Sequence, residues 1–167
     1  SRRRSTGATS TAWTGGWLQI VSHAFEKAAM FLVAGLVAEA LGHDRIRDLS
    51  GLGKRLPLIV LTFAMSGVSL MGLPPSGGFS AKFMLLVAAV AEGRWLWAAV
   101  IIGGGLLAGI YVFGVLARML AAMPDGTRVA EIGRDRQLIA FALAGVALVL
   151  GLLPLEPLAL LQIGRMP

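Results

Sequence analysis

The stretch Gly72-Leu73-Pro74-Pro75-Ser76-Gly77-Gly78-Phe79-Ser80-Ala81-Lys82 decides the fold, because it places a helix break and a charge inside apolar sequence. A charged side chain at membrane depth is costly, and it usually faces a bundle interior or an aqueous path. Non-helical backbone in a bilayer survives only where protein or a water-filled cavity surrounds it. The helix break is formed by Pro74, Pro75, Gly77 and Gly78. A broken helix with a buried lysine predicts an ion-translocating membrane protein.

The composition supports a membrane location. The 167 residues are 56% hydrophobic and 14% charged, with a mean hydropathy of +0.77, whereas globular proteins average about a quarter charged residues. The absence of cysteine excludes disulfides and iron–sulfur ligation, and two histidines are too few for a histidine-rich metal site. We therefore expect no metal and no cofactor in this chain, no catalytic redox site, and redox chemistry only in a partner.

The apolar segments predict an all-α polytopic membrane protein with about four transmembrane helices. The predicted spans are residues 13–41, 56–91, 95–123 and 137–153. Residues 79–91 are too short to cross a bilayer alone, so 56–91 is interpreted as one discontinuous helix broken at Pro74-Pro75. The transmembrane domain would cover residues 13–158. Residues 1–12 are expected to be a disordered or truncated polar segment, and residues 159–167 a C-terminal tail.

Basic residues predict the orientation. With four spans, loops 43–55 and 118–136 share one face of the membrane. That face holds Arg45, Arg47, Lys54, Arg55, Arg118, Arg128, Arg134 and Arg136, whereas the other holds Arg94, Arg165 and the three arginines near the N-terminus. The positive-inside rule places both loops in the cytoplasm. The membrane expected is the inner membrane of a bacterium. Because the basic residues flank apolar segments, the pI of about 11.1 does not indicate nucleic-acid binding.

A second polar cluster lies within the first predicted span. Gln19, His23 and Lys27 are spaced four apart and share one helical face, with Glu26 offset by three from His23. Histidine titrates near neutral pH, and buried lysine changes its protonation readily, so such a stripe could relay protons through ordered water. Alternatively, Glu26 and Lys27 pair with partners elsewhere and His23 bonds a carbonyl. The presence of Lys82 on a broken helix favours the relay.

Lys82 is expected in the first turn of the second half-helix. The positive end of the helix dipole would disfavour a cation there, and desolvation acts in the same direction. Such a lysine could release its proton, as a translocation site requires.

Three elements in order resemble the antiporter-like membrane subunits of complex I NADH:quinone oxidoreductase, membrane-bound hydrogenases and multisubunit Na⁺/H⁺ (Mrp) antiporters. The first, Ser22-His23-Ala24-Phe25-Glu26-Lys27-Ala28-Ala29-Met30-Phe31-Leu32, is similar to the family's His-Ala-Phe-Phe-Lys-Ala-x-Leu-Phe-Leu element. The second element is Asp48-Leu49-Ser50-Gly51-Leu52-Gly53, followed by Leu56-Pro57. The third is Ser69-Leu70-Met71-Gly72-Leu73-Pro74-Pro75, followed by Gly78-Phe79-Ser80-Ala81-Lys82.

The resemblance implies that the chain corresponds to the last part of the second of two inverted five-helix repeats. It makes Lys82 the terminal lysine of a central polar axis and His23 and Lys27 the relay that leads to it. Two residues depart from the family pattern, Gln19 where many members have a second histidine and Glu26 where phenylalanine is frequent. Because the first repeat has no counterpart here, the chain is expected to be a fragment, a truncated product or half of a split subunit.

The function expected is proton or cation translocation as part of an antiporter-like subunit of a complex I-type NADH:quinone oxidoreductase. The alternatives are a D-type component of a multisubunit Na⁺/H⁺ antiporter, or a non-transporting membrane fragment or adapter. The expected partners are other membrane subunits, including one that supplies the missing repeat, the lipid bilayer, and protons or Na⁺.

Overall fold

The computed structural model describes residues 2–122 and 129–152, and these form helices and connecting turns without a strand. The long helices are α1 (Arg2–Leu41), α5 (Trp95–Leu120) and α6 (Arg134–Leu152). The shorter ones are α2 (Leu52–Arg55), α3 (Pro57–Met71) and α4 (Gly77–Ala91), with a 3₁₀ turn at Ile46–Asp48. The predicted all-α architecture is confirmed.

Among the described residues, three helices are long and apolar enough to cross a membrane, within Thr9–Leu41, Trp95–Leu120 and Arg134–Leu152. They correspond to the first, third and fourth predicted spans. The helix of the first span begins much earlier than predicted, since residues 2–12 continue α1 without interruption. The predicted C-terminal tail and the ends of the third and fourth predicted spans lie outside the described residues.

The remaining span consists of two half-helices. α3 and α4 have 15 residues each, about 22 Å at the helical rise of 1.5 Å per residue. Neither can cross the roughly 30 Å hydrocarbon core alone. Both pack along α1, α5 and α6, yet they make few contacts with each other. They therefore follow one another through the bundle as one discontinuous span, as the sequence predicted.

The residues around the break explain why it forms. α3 ends because Gly72 adopts a left-handed conformation (φ 81°, ψ 47°), in which its N–H bonds the Ser69 carbonyl and the next N–H bonds the Val68 carbonyl. The two prolines, joined by a cis peptide bond, have no N–H to continue a helix. α4 begins at Gly77 because the Ser76 hydroxyl accepts a hydrogen bond from the Phe79 N–H at 3.1 Å.

The loop before α3 and the described part of the loop after α5 lie at one end of the bundle. The Ala130 N–H bonds the Ala40 carbonyl at 2.8 Å, and Arg136 forms a two-pronged ion pair with Glu39 at 2.7 and 2.9 Å. On the same end, Gly53 packs against Leu120. This arrangement agrees with four spans, whereas the cytoplasmic placement of both loops stays a prediction.

The apolar core fills the half of the bundle nearest these loops. It contains Val33, Leu36, Val37 and Ala40 of α1, Ile59, Val60 and Phe63 of α3, and Val112, Val115 and Met119 of α5. Four buried polar side chains of α1 and α3 lie further from the loops, towards the helix break: Ser22, Glu26, Ser66 and Ser69. Thr62 is also buried, next to the core residue Phe63 of α3. The fold thus separates a packed apolar half from a polar half that surrounds the break.

Candidate functional site

Lys82 connects the two half-helices. Its Nζ donates a hydrogen bond of 2.5 Å to the carbonyl oxygen of Leu70, in the last turn of α3. That carbonyl is one of those that a helix end leaves without an N–H partner. Lys82 therefore supplies the donor that the missing helical continuation would have provided.

The expectation that Lys82 lies in the first turn of α4 was wrong, and so was the dipole argument built on it. Because Ser76 caps the helix and Gly77 is its first residue, Lys82 is the sixth residue and lies in the second turn. Its side chain reaches back across the break. The amino group consequently lies at the C-terminal, negative end of the α3 dipole, which stabilises a positive charge.

Beside Lys82 is a cavity of about 490 Å³ between the break and α5. The cavity is otherwise lined by backbone and apolar side chains, several of which, such as Phe83 and Leu106, are exposed on the outer surface. Glycines bring α5 close to the break, since a Cβ at Gly105 would lie 2.9 Å from the Met71 carbonyl oxygen. Lys82 thus has an apolar compartment on one side and the end of α3 on the other.

Glu26, predicted only as an auxiliary residue, is the most deeply buried acidic group that the structure describes. It is 0% exposed. Its Oε1 accepts hydrogen bonds from the hydroxyls of Ser22 at 2.7 Å and Ser69 at 2.5 Å. The Ser69 hydroxyl in turn accepts a hydrogen bond from the Gly78 N–H at 3.4 Å, at the start of α4. The carboxyl group is therefore held at the positive end of the α4 dipole.

His23 contacts Glu26. Its Nδ1 lies 3.4 Å from Glu26 Oε2, and neither atom has a hydrogen-bond partner among the described residues. Nδ1 is buried, yet 43% of the His23 side chain is exposed, so the rest of the ring reaches the surface. The side-chain oxygen of Gln19 is also buried without a partner in the described part of the chain.

Lys27 faces another direction. Its side chain is exposed and borders a second cavity of about 300 Å³, together with Phe63 and Leu70 of α3 and Tyr111 of α5. The structure therefore brings His23 together with Glu26 and not with Lys27. Because Leu70 lines the Lys27 cavity while its carbonyl binds Lys82, the last turn of α3 lies between the two lysines. The proposed relay through His23 and Lys27 stays a prediction.

Two serines of the site were not identified from sequence. Ser22 precedes Glu26 by four residues, so helical spacing alone could have indicated that the two side chains meet. Ser69 is 43 residues away from Glu26 in the chain, so no local sequence pattern indicates that the two side chains are in contact.

Comparison with known proteins agrees with this architecture. The family described as NADH:quinone oxidoreductase/Mrp antiporter, TM matches residues 5–108. Over 102 residues the chain is 35% identical to NADH-quinone oxidoreductase subunit N of Desulforudis audaxviator, a match that covers 61% of this chain and 20% of that protein. Over 99 residues it is 37% identical to the D-type Na(+)/H(+) antiporter protein of Alkalihalophilus pseudofirmus, a match that covers 59% and 20%.

A solved structure shows the same fold. A chain of the Mrp complex from Dietzia sp. DQ12-45-1b superposes with a TM-score of 0.76 and 26% identity, covering 90% of this chain and 36% of that one. The chain thus spans about a fifth of the length of the two curated relatives. The predicted resemblance is confirmed, and the chain belongs to the NADH:quinone oxidoreductase/Mrp antiporter transmembrane family.

Proposed function

We propose that this chain forms part of a proton-translocating path in an antiporter-like subunit of a complex I-type NADH:quinone oxidoreductase. The observation that carries the proposal is the Lys82 amino group, bonded to the Leu70 carbonyl at the helix break. An ionisable side chain at membrane depth marks an ion pathway by default. Lys82 also borders a cavity large enough to hold ordered water, through which a proton would arrive and leave.

Energy for translocation would come from partners. The described residues form a bundle around one broken helix, and the redox chemistry of such a complex belongs to other subunits. We propose that these subunits, and whatever part of the complex supplies the other repeat, surround this bundle in the inner membrane of a bacterium. The exposed apolar side chains of α5 would then face lipid or those partners.

Replacement of Lys82 tests the proposal. We expect Lys82→Ala, introduced into the intact membrane complex, to abolish proton uptake by inverted membrane vesicles, because it removes the only ionisable side chain of α4. Native electrophoresis would check that the complex still assembles. Lys54→Ala is the matched control, since this lysine is exposed in the loop-end helix α2. Normal proton uptake by an assembled Lys82→Ala complex would overturn the proposal. It would instead support the alternative that the chain is a non-transporting membrane fragment or adapter.

Membership of a multisubunit Na⁺/H⁺ antiporter is the second candidate, and the superposition on the Mrp complex favours it. Mass spectrometry of the complex, purified gently from its native membrane, separates the two. Flavin and iron–sulfur subunits among the co-purifying proteins would support the oxidoreductase. Small membrane subunits without cofactors would support the antiporter, and vesicles should then exchange protons for an imposed Na⁺ gradient.

A further inference from the structure

The search for further chemistry leads to Glu26, because nothing in the proposed path requires a second buried charge at the break. An isolated carboxylate in an apolar interior is strongly disfavoured unless it is paired and hydrogen-bonded. Glu26 is nevertheless 0% exposed in a membrane-spanning helix. Its surroundings must therefore stabilise the carboxyl group, the charge, or both.

The two carboxyl oxygens have different surroundings. Oε1 accepts two hydroxyl hydrogen bonds, from Ser22 and Ser69. Both bonds can persist whether the carboxyl group is charged or neutral, since the carbonyl oxygen of a neutral acid also accepts. Oε2 has only the Nδ1 atom of His23 nearby, at 3.4 Å, among the residues that the structure describes. A single proton shared between Oε2 and Nδ1 would satisfy both of these atoms, which otherwise stay buried without a partner.

Glycines at the start of α4 provide the space for this arrangement. A Cβ at Gly78 would lie 2.9 Å from Glu26 Oε1 and 2.0 Å from the Ser69 carbonyl oxygen. A Cβ at Gly77 would lie 2.7 Å from the Ser22 hydroxyl. The carboxyl group and its two donors are thus packed directly against the N-terminus of α4.

The break therefore presents its two helix ends to opposite charges. The negative end of α3 holds the Lys82 ammonium group, and the positive end of α4 holds the Glu26 carboxyl group through Ser69. Both groups lie at the same helix break, so each lies in the electrostatic field of the other. They are therefore two groups of opposite charge at the two helix ends that meet at the break.

Few other ionisable groups face Glu26. On its own helix His23 contacts it, whereas Lys27 is turned outward. α3 has no ionisable side chain, and α4 has only Lys82. The charged residues of α6 are in its first turn, at the opposite end of the bundle near Glu39. Within the described residues, His23 and Lys82 are therefore the ionisable groups that face Glu26.

We propose that Glu26 is a proton-binding group whose uptake of a proton balances the release of a proton by Lys82. When Lys82 releases its proton into the adjoining cavity, the proton on His23 Nδ1 moves to Glu26 Oε2 and the exposed side of the imidazole accepts another proton in the same step. The ring then stays neutral, and the carboxylate becomes a neutral acid. The pair is then neutral overall both before and after the step, which is the arrangement that a low-dielectric interior favours. This inference rests on the proposed function, because Lys82 must exchange protons.

Infrared difference spectroscopy of the intact complex between low and high pH tests the proposal. We expect a carboxylic acid C=O band that is present in wild type, lost in Glu26→Gln and retained in Glu39→Gln. Glu39 is the matched control because it is an exposed carboxylate of the same helix. In Lys82→Met, Glu26 should stay protonated and its band should no longer depend on pH. We also expect Glu26→Gln to lower the rate of proton translocation, because Lys82 would then release its proton without a compensating proton uptake at position 26.

Two results would overturn the inference. One is a spectrum in which no band is lost in Glu26→Gln, and the other is a Glu26 carboxylate that stays ionised in Lys82→Met. If the complex with Glu26→Gln does not assemble, Ser69→Ala is the second variant to test. It keeps the carboxyl group but removes one hydrogen-bond donor, so the C=O band of Glu26 should shift in frequency. An unshifted band would count against the inference. Loss of translocation in Lys82→Met with an unchanged Glu26 band would leave the proposed function intact and refute only this coupling.

Discussion

The half of the bundle near the loops and the half around the helix break use the same helices for different purposes. In the loop half, α1 and α3 bury aliphatic and aromatic side chains such as Val33, Ile59 and Phe63. At the level of the break, the same two helices bury Ser22, Glu26, Ser66 and Ser69. Packing in the first half holds the helices together, whereas the second half carries groups that can exchange protons. Mutations should therefore separate stability from translocation.

The largest effect in this comparison is expected from Gly78→Ala. The new Cβ would lie 2.0 Å from the Ser69 carbonyl oxygen, a backbone atom that cannot move aside without opening the break. We expect loss of proton translocation and a lower melting temperature of the purified complex. Gly104→Ala is the control, because that position in α5 has no neighbour within 4 Å among the described residues. Wild-type translocation by Gly78→Ala would show that the geometry of the break does not matter for function.

A smaller and different effect is expected in the apolar half. Ile59 is 1% exposed in the core, so Ile59→Ala should lower the free energy of unfolding by about 2–5 kcal/mol. The pH dependence of translocation should remain that of wild type at temperatures where the complex is folded. Leu61→Ala, at a half-exposed position of the same helix, should cost less stability. A shifted pH profile in Ile59→Ala would contradict the functional separation of the two halves.

The smallest effect is expected at the loop end itself. Arg136 and Glu39 form an exposed ion pair, and such pairs contribute little because solvent and salt screen them. Glu39→Gln should lower the melting temperature less than Ile59→Ala does, and the difference from wild type should shrink at high salt. A loss of translocation in this variant would mean that the loop end takes part in function.

The sequence predicted features that depend on local composition. The apolar segment lengths indicated the spans, and Pro74-Pro75 with its flanking glycines indicated the break, because these residues act on their own backbone. It could not predict how α1 is rotated about its axis. Glu26 and Lys27 are neighbours in sequence, yet one is 0% exposed and the other faces outward. Packing against α3 and α4 determines that rotation, and so does the contact between Ser69 and Glu26.

The placement of Lys82 shows the same limitation. Its distance from the prolines suggested the first turn of a half-helix, but Ser76 fixes where that helix begins. The direction of a long side chain then decides which helix end the charge meets. Neither fact follows from spacing alone.

The last turn of α3 also has a consequence for inhibition. Leu70 lines one cavity and Met71 lines the other, so a single helical turn forms the wall between compartments of about 300 and 490 Å³. A small apolar compound bound in the larger compartment would press on the turn whose carbonyl holds Lys82. Such a compound would block the proposed path without touching a charged group, and resistance mutations would then arise among the apolar residues of α5.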